Sequence, residues 1–256
     1  MRILLTNDDG IYAPGLAAME RELRKLGEVT VAAPLTEQSG VGHAITYLTP
    51  LMAREVFAED GKRRGWAVEG SPADCVKLAV CALLPERPDL VVSGINSGMN
   101  AGINVLYSGT VAAAIEGAFF GITSIAVSLE YHDAPRYDIA AEKAAGIIKQ
   151  MLAQKDAAGH LYNLNIPMRA LTNPAEVKFV PMATAPWGED FQARIDPRGR
   201  PYFWANGLQP DPPPGAVTDL LELRSGNITV TPLKFDMTHT AMLSEMRDWK
   251  FEKVKV

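Results

Sequence analysis

An open α/β sheet, mostly parallel and covered by helices on both faces, is the fold this chain predicts. Three observations carry that expectation. Short apolar runs recur at residues 3–5, 29–33 and 90–92, and continuous apolarity marks strands buried on both faces. Helical patterns lie between them, as in a series of right-handed parallel crossovers. Glycine, asparagine and aspartate gather just after the apolar runs, where parallel strands present their carboxyl ends to ligands.

The elements follow in order. Residues 3–5 (ILL) are bounded by Asn7, Asp8, Asp9 and Gly10, so a buried strand ends there in a loop. Leu16, Met19, Leu23 and Leu26 recur at helical spacing, and Gly27 stops the helix. Residues 29–33 make the second strand, closed by Pro34. Residues 66–68 are a short strand. Ser71 then caps a helix that has Pro72 in its first turn and runs to Leu83. After the strand 90–92 come a glycine-rich loop, a helix over 111–120, a strand over 124–129 and a helix over 137–154. Past Pro186 the character changes. DPRG (196–199) is a turn, Tyr202, Phe203 and Trp204 an aromatic strand, and QPDPPPG (209–215) a rigid loop. Residues 228–233 read as a strand and 240–249 as a terminal helix. The aromatic hairpin is expected to protrude and pack on a partner subunit.

Composition narrows the function. With 47% hydrophobic and 21% charged residues the chain can bury a large core, and a net charge of -5 argues against a nucleic-acid polymer as partner. Cys75 and Cys81 lie on one predicted helix, roughly 120° apart around it, and read as two core thiols. The apolar run before the first aspartates is too short for a secretory leader, and no run approaches a membrane span. A cytoplasmic protein without membrane contact is expected.

Three segments carry chemistry. Asp8 and Asp9 are adjacent carboxylates at the end of the first strand, and such a pair needs a cation or a proton to offset its repulsion. A solvated Asp-Gly turn that caps the next helix fits the same residues. Residues 34–45 (PLTEQSGVGHAI) place Ser39, Gly40 and His43 on a loop at the same edge, which a plain connection also explains. Residues 93–117 hold five glycines and three asparagines with almost no charge, so they cannot pack as an ordinary strand or helix. Ser108, Gly109 and Thr110 open a helix there, and its free N–H groups suit a phosphate. An N-capped helix after a tight turn would account for Thr110 but not for the asparagines. The donors are hard oxygens, which selects Mg²⁺, Mn²⁺ or Ca²⁺ over structural zinc. There is no P-loop, no dinucleotide fingerprint, no G-x-S-x-G and no H-E-x-x-H.

At these residues the sequence resembles the SurE family, stationary-phase survival proteins known as 5′/3′-nucleotidases. The matching segments are ILLTNDDG-x-x-APG (3–15), AP-x4-SG-x-GHAIT (33–46), GSPADCV (70–76), PDLVVSGIN-x-G-x-N (88–100) and YSGTVAAA-x-EG (107–117). DPRG (196–199) and TPL-x-x-D-x-T (231–238) continue the likeness through nearly the whole chain. Departures are small. Ser71 stands where many members have threonine, and His239 lies one place before the histidine of relatives, which leaves a C-terminal histidine without an assigned role.

The resemblance implies a Rossmann-like core over 1–186, a protruding hairpin and oligomerisation region over 187–226, and a strand and helix over 227–256 exchanged between subunits. A homodimer or homotetramer follows. It implies one divalent cation per subunit, Mg²⁺ or Mn²⁺ first and Ca²⁺ next, held by Asp8, Asp9, Ser39 and Asn96. It places the phosphate of a nucleoside 5′- or 3′-monophosphate at the loop through Asn100 and the turn of Ser108, Gly109 and Thr110, and Asn7, Gly40 and His43 are further candidates for contacting the substrate. Short polyphosphate is a side substrate. Asp8 and Asp9 are the catalytic pair, with a metal-activated water as nucleophile and Asp9 as its base, or else with an aspartyl-phosphate. Tyr107 and the 40–43 loop are candidates for a shelf under the base. A nucleotide-binding module without chemistry, and a transferase with an acceptor other than water, remain alternatives.

Overall fold

Each apolar run becomes a strand because it can bury both faces at once. The computed structural model describes residues 1–154, 159–185, 188–208, 215 and 217–251. Its strands are Arg2–Thr6 (β1), Glu28–Pro34 (β2), Ala53–Phe57 (β3), Arg63–Val68 (β4), Leu90–Ser97 (β5), Thr123–Leu129 (β6), Leu161–Ile166 (β7), Val177–Phe179 (β8), Gly188–Ile195 (β9), Pro201–Leu208 (β10) and Ile228–Leu233 (β11). Nine of them form one sheet in the order β3-β4-β2-β1-β5-β6-β7-β11-β8. The pairs within β4-β2-β1-β5-β6-β7 are parallel, while β3 and β11 run antiparallel to β4 and β7. From β1 the chain moves outward through β2 to one side, and it resumes at β5 on the other. The carboxyl ends of β1 and β5 therefore flank the switch point, where the strands splay and leave a crevice.

The helices are Pro14–Leu23 (α1), Pro72–Leu78 (α2), Gly109–Phe119 (α3), Tyr137–Gln154 (α4), Arg169–Thr172 (α5), Asp219–Arg224 (α6) and Thr240–Met246 (α7). Ile3 and Leu5 point into a core shared with Leu16, Met19 and Leu23 of α1 and with Ala141 and Ile148 of α4. Leu4 points the other way, against Val76 of α2 and Ala113 of α3. Alternate side chains of one strand thus feed two cores, each fully buried leucine contributing about 1.5–3 kcal/mol. Gly15 lets α1 sit directly on β5: a Cβ there would lie 2.2 Å from the Ile95 carbonyl oxygen.

Several expectations change. β5 does not stop at residue 92 but runs to Ser97, its register shifting between Ser93 and Asn96 so that Asn96 reaches the rim opposite Ser128. The α-helix from Ser71 ends at Leu78 and widens into a π-turn over Ala79–Leu83. That turn alters the helical phase, and Cys81 is exposed while Cys75 is buried, so only one thiol is in the core. The terminal helix is shorter, Thr240–Met246, and buries nothing. β9 and β10 make the expected hairpin around the 196–199 turn, with Phe203 and Trp204 exposed. Six residues of the expected rigid loop, 209–214, lie outside the described residues. β11 joins the main sheet, and α6 returns to pack Leu220 and Leu223 against Ala101 and Ala183. Every residue from 234 to 251 is exposed. Among the described residues no helix is long and apolar enough to cross a membrane.

Candidate active site

An open cleft of about 320 Å³ lies at the switch point, with Asp8, Ser39, Gly40, Asn96, Asn100, Tyr107 and Ser108 among its walls. β1 delivers Asp8 because the turn after Thr6 is tied back on itself: the Asn7 Nδ2 donates to the Gly10 carbonyl at 3.0 Å. Asn7 itself is fully buried beneath the turn. Asp8 is 4% exposed, and its Oδ1 accepts the Thr110 hydroxyl at 2.6 Å. Burial pushes the Asp8 carboxyl above its ordinary value, against that hydroxyl and the backbone N–H groups of Asp8 and Thr110, which pull it down. Asp9 is half-buried and accepts the Ser97 N–H at 3.2 Å. Burial first, and the Asp8 charge second, push it up to about 6.

Two carboxylates with raised proton affinity and, among the described residues, no ion pair to Lys or Arg are a site that a cation would relieve. The neighbouring donors fit one. Ser39 is exposed on the cleft wall, where its hydroxyl donates to Glu37 at 2.7 Å. The Asn96 Nδ2 is spent on the Gly98 carbonyl at 2.7 Å, which leaves Oδ1 as its acceptor end. Among the described residues no three His, Cys, Asp or Glu side chains gather to hold a metal. Two carboxylates, a hydroxyl and an amide oxygen are a hard donor set, suited to Mg²⁺, Mn²⁺ or Ca²⁺.

The start of α3 closes the other side. Ser108 is the N-cap, and its Oγ accepts the Val111 N–H at 3.1 Å. Gly109 is there for space: an added Cβ would lie 3.0 Å from the Asp8 Cβ and 3.1 Å from the Pro72 Cγ. Thr110 is fully buried and its hydroxyl is committed to Asp8, so it serves the carboxylate rather than facing the cleft. Asn100 lines the cleft with its backbone and amide tied to β6 and β7: the Nδ2 donates to Ser128 at 2.9 Å and to Thr110 at 3.4 Å.

His43 stands apart from the cleft walls. Its Nε2 pairs with Glu116 of α3 at 2.9 Å, and its ring stacks on Phe119 at 5.4 Å. Lys77 reaches the other Glu116 oxygen at 3.2 Å. The histidine thus pins the loop bearing Ser39 and Gly40 onto α3. Two more bonds hold the same loop to α2: Ser71 donates to the Ala44 carbonyl at 2.6 Å, and Asp74 accepts the Thr46 N–H at 2.9 Å. The Gly42 N–H donates to the Tyr107 carbonyl at 3.0 Å, which joins the two candidate shelf segments.

Residues 3–189 match the family model described as "Survival protein SurE". The chain belongs to the SurE family. A relative named 5′-nucleotidase SurE from Rhodopirellula baltica is 58% identical over 97% of this chain and 98% of its own length. One of the same name from Heliobacterium modesticaldum is 42% identical, covering 97% and 92%. The crystal structure of the SurE protein from Aquifex aeolicus superposes with a TM-score of 0.84 at 34% identity, over 96% of this chain and 98% of that one. The Rossmann-like fold of SurE proteins is therefore this chain's fold.

Sequence reasoning missed the residues behind the SurE cleft. Asn163 and Asn165 of β7 and Ser128 of β6 are fully buried and bond to Asn100. The signal was present in LYNLNI, where two asparagines alternate through an apolar run. Glu116 was likewise visible only as one charge in the helix 111–120.

Proposed function

We propose that this chain is a divalent-metal-dependent phosphomonoesterase that hydrolyses nucleoside 5′- and 3′-monophosphates to nucleoside and phosphate. One observation carries the reading: the neighbouring carboxyls of Asp8 and Asp9 stand at the switch point without a cationic partner among the described residues, and Asp8 shares the cleft with Ser108, the cap of α3. The name 5′-nucleotidase borne by the R. baltica and H. modesticaldum relatives supports it.

Asp8, Asp9, Ser39 and Asn96 would hold the cation, which when bound polarises the phosphoryl oxygen and acidifies a water. Thr110 fixes the Asp8 carboxylate in one orientation by its hydroxyl. Asp9, with its raised proton affinity, takes the proton of the attacking water. The Ser108 hydroxyl and the Gly109 N–H hold the developing phosphoryl charge. Asn100 shapes the cleft wall against which the phosphate packs. Tyr107, 59% exposed on the cleft, offers the base a flat apolar surface.

The exposed apolar side chains Phe235, Met237, Leu243 and Trp249 support exchange of the C-terminal segment in a homodimer or homotetramer. Short polyphosphate is a side substrate, and the cytoplasm is the compartment. A panel of phosphate esters assayed with Mg²⁺, Mn²⁺ and Ca²⁺ tests the activity. Both nucleotide isomers should release phosphate, and none should do so in excess chelator. Turnover that survives chelation overturns the metal, and a trapped phospho-enzyme overturns the water route.

A further inference from the structure

β7 contributes no residue to the cleft walls, yet two of its side chains govern one that does. Asn163 and Asn165 are fully buried in a strand where an apolar residue would bury at lower cost. The Asn165 Oδ1 accepts the N–H of Asn100 at 2.8 Å while its Nδ2 donates to the Asn100 carbonyl at 3.0 Å. A single amide therefore grips both polar groups of one residue's backbone, as a neighbouring strand would. Asn163 adds a second bond to the same carbonyl at 2.7 Å. Its own Oδ1 finds no partner, a cost that packing alone does not explain.

The grip leads to the chemistry. With its backbone held, Asn100 turns its Nδ2 to Ser128 at 2.9 Å and to Thr110 at 3.4 Å, and Thr110 in turn donates to Asp8 at 2.6 Å. Both Nδ2 hydrogens are thus spent inward, which fixes the Asn100 side chain in one orientation on the cleft wall. Ser128 lies opposite Asn165 in the register of β6 and β7, which places the whole chain of bonds on one face of the sheet.

We propose that Asn163 and Asn165 are positioning residues for phosphate binding, clamping the backbone of Asn100 so that its side chain keeps one place on the cleft wall. The proposal rests on the phosphatase reading and deepens it. A merely structural role would lower stability and leave phosphate affinity alone.

Steady-state hydrolysis of a nucleoside 5′-monophosphate by the full metal-loaded chain, with inorganic phosphate as competing inhibitor, separates the two. Asn165→Ala is expected to raise KM and the phosphate inhibition constant together, by roughly tenfold, the worth of one or two net hydrogen bonds. Asn163→Ala leaves one bond on the carbonyl and should raise both by roughly threefold. Thr231→Val, opposite Asn163 in β11, removes a buried hydroxyl that has no partner and should match wild type in both constants. A lower melting temperature with an unchanged phosphate constant in Asn165→Ala overturns the proposal. So does a fall in kcat alone, or an equal effect from Thr231→Val. Should Asn165→Ala not fold, Asn163→Ala and wild-type amide exchange decide. The Asn100 N–H must then exchange slowly without phosphate, and rapid exchange overturns the clamp. Absence of any wild-type turnover would instead overturn the phosphatase reading, while the exchange measurement still judges the clamp.

Discussion

Asp8 and Asp9 are neighbours in sequence with different surroundings. Asp8 is buried and bonded to Thr110, whereas Asp9 is half-buried, answers to the Ser97 N–H and sits near 6. Asp9 feels the Asp8 charge, and both lose hydration. Replacing either by asparagine should cost at least about 10²–10³-fold in kcat, by removing a charged ligand from the reacting centre. The metal-free fold should be as stable as wild type or slightly more so, because a neutral amide escapes the repulsion. Circular dichroism and melting curves check the fold, and wild-type turnover in either variant would end the assignment. Gly109 is the second residue whose identity is forced. Gly109→Ala pushes a methyl group against Asp8 and Pro72 and should cost about 1–3 kcal/mol together with most of the activity. An alanine variant with wild-type melting and kcat would mean that the helix start moves freely past Asp8.

At the scale of elements, the question is what holds a glycine-bearing loop against α3. Glu116 of α3 binds His43 from the loop and Lys77 from α2. Burial alone would push its carboxyl up, but the two bonds and the charges behind them outweigh burial and hold it below the usual range. A carboxyl whose folded value is depressed stabilises the fold above its unfolded value, and loses that contribution as pH falls through the folded one. Glu116→Gln should therefore cost about 1–3 kcal/mol at pH 7, and the gap from wild type should close below about pH 4. A gap that stays constant across that acid range would remove the ion pair as its cause. The elements were legible where a local signal marks them. Ser71 caps its helix through a capping box with Asp74, and the helix 137–154 and the strand 228–233 stand where periodicity puts them. β3, β7 and β8 were not legible, since an edge strand and a strand with alternating asparagines lack a continuous apolar run.

Beyond β11 the described chain leaves a long stretch exposed. Residues 234–251 are exposed, α7 has no buried residue, and the aromatic hairpin stands off the sheet. Such apolar surface is unfavourable in water, and the proposed exchange would cover it with a second copy. A chain ending at Leu233 should be monomeric by light scattering while the full chain runs as a dimer or tetramer. Equal assembly in both would sink the exchange. The alternating α/β order, the place of the crevice and the residue types around it were all readable from the amino-acid order. These depend on local propensity and on apolar runs within a few residues. That Thr110 serves Asp8, that His43 belongs to Glu116 and that β7 reaches back to Asn100 emerged from the folded chain. Those partners lie 102, 73 and 65 residues apart in the chain. No local pattern records such distances, because the sheet and the helix packed on it bring these segments together.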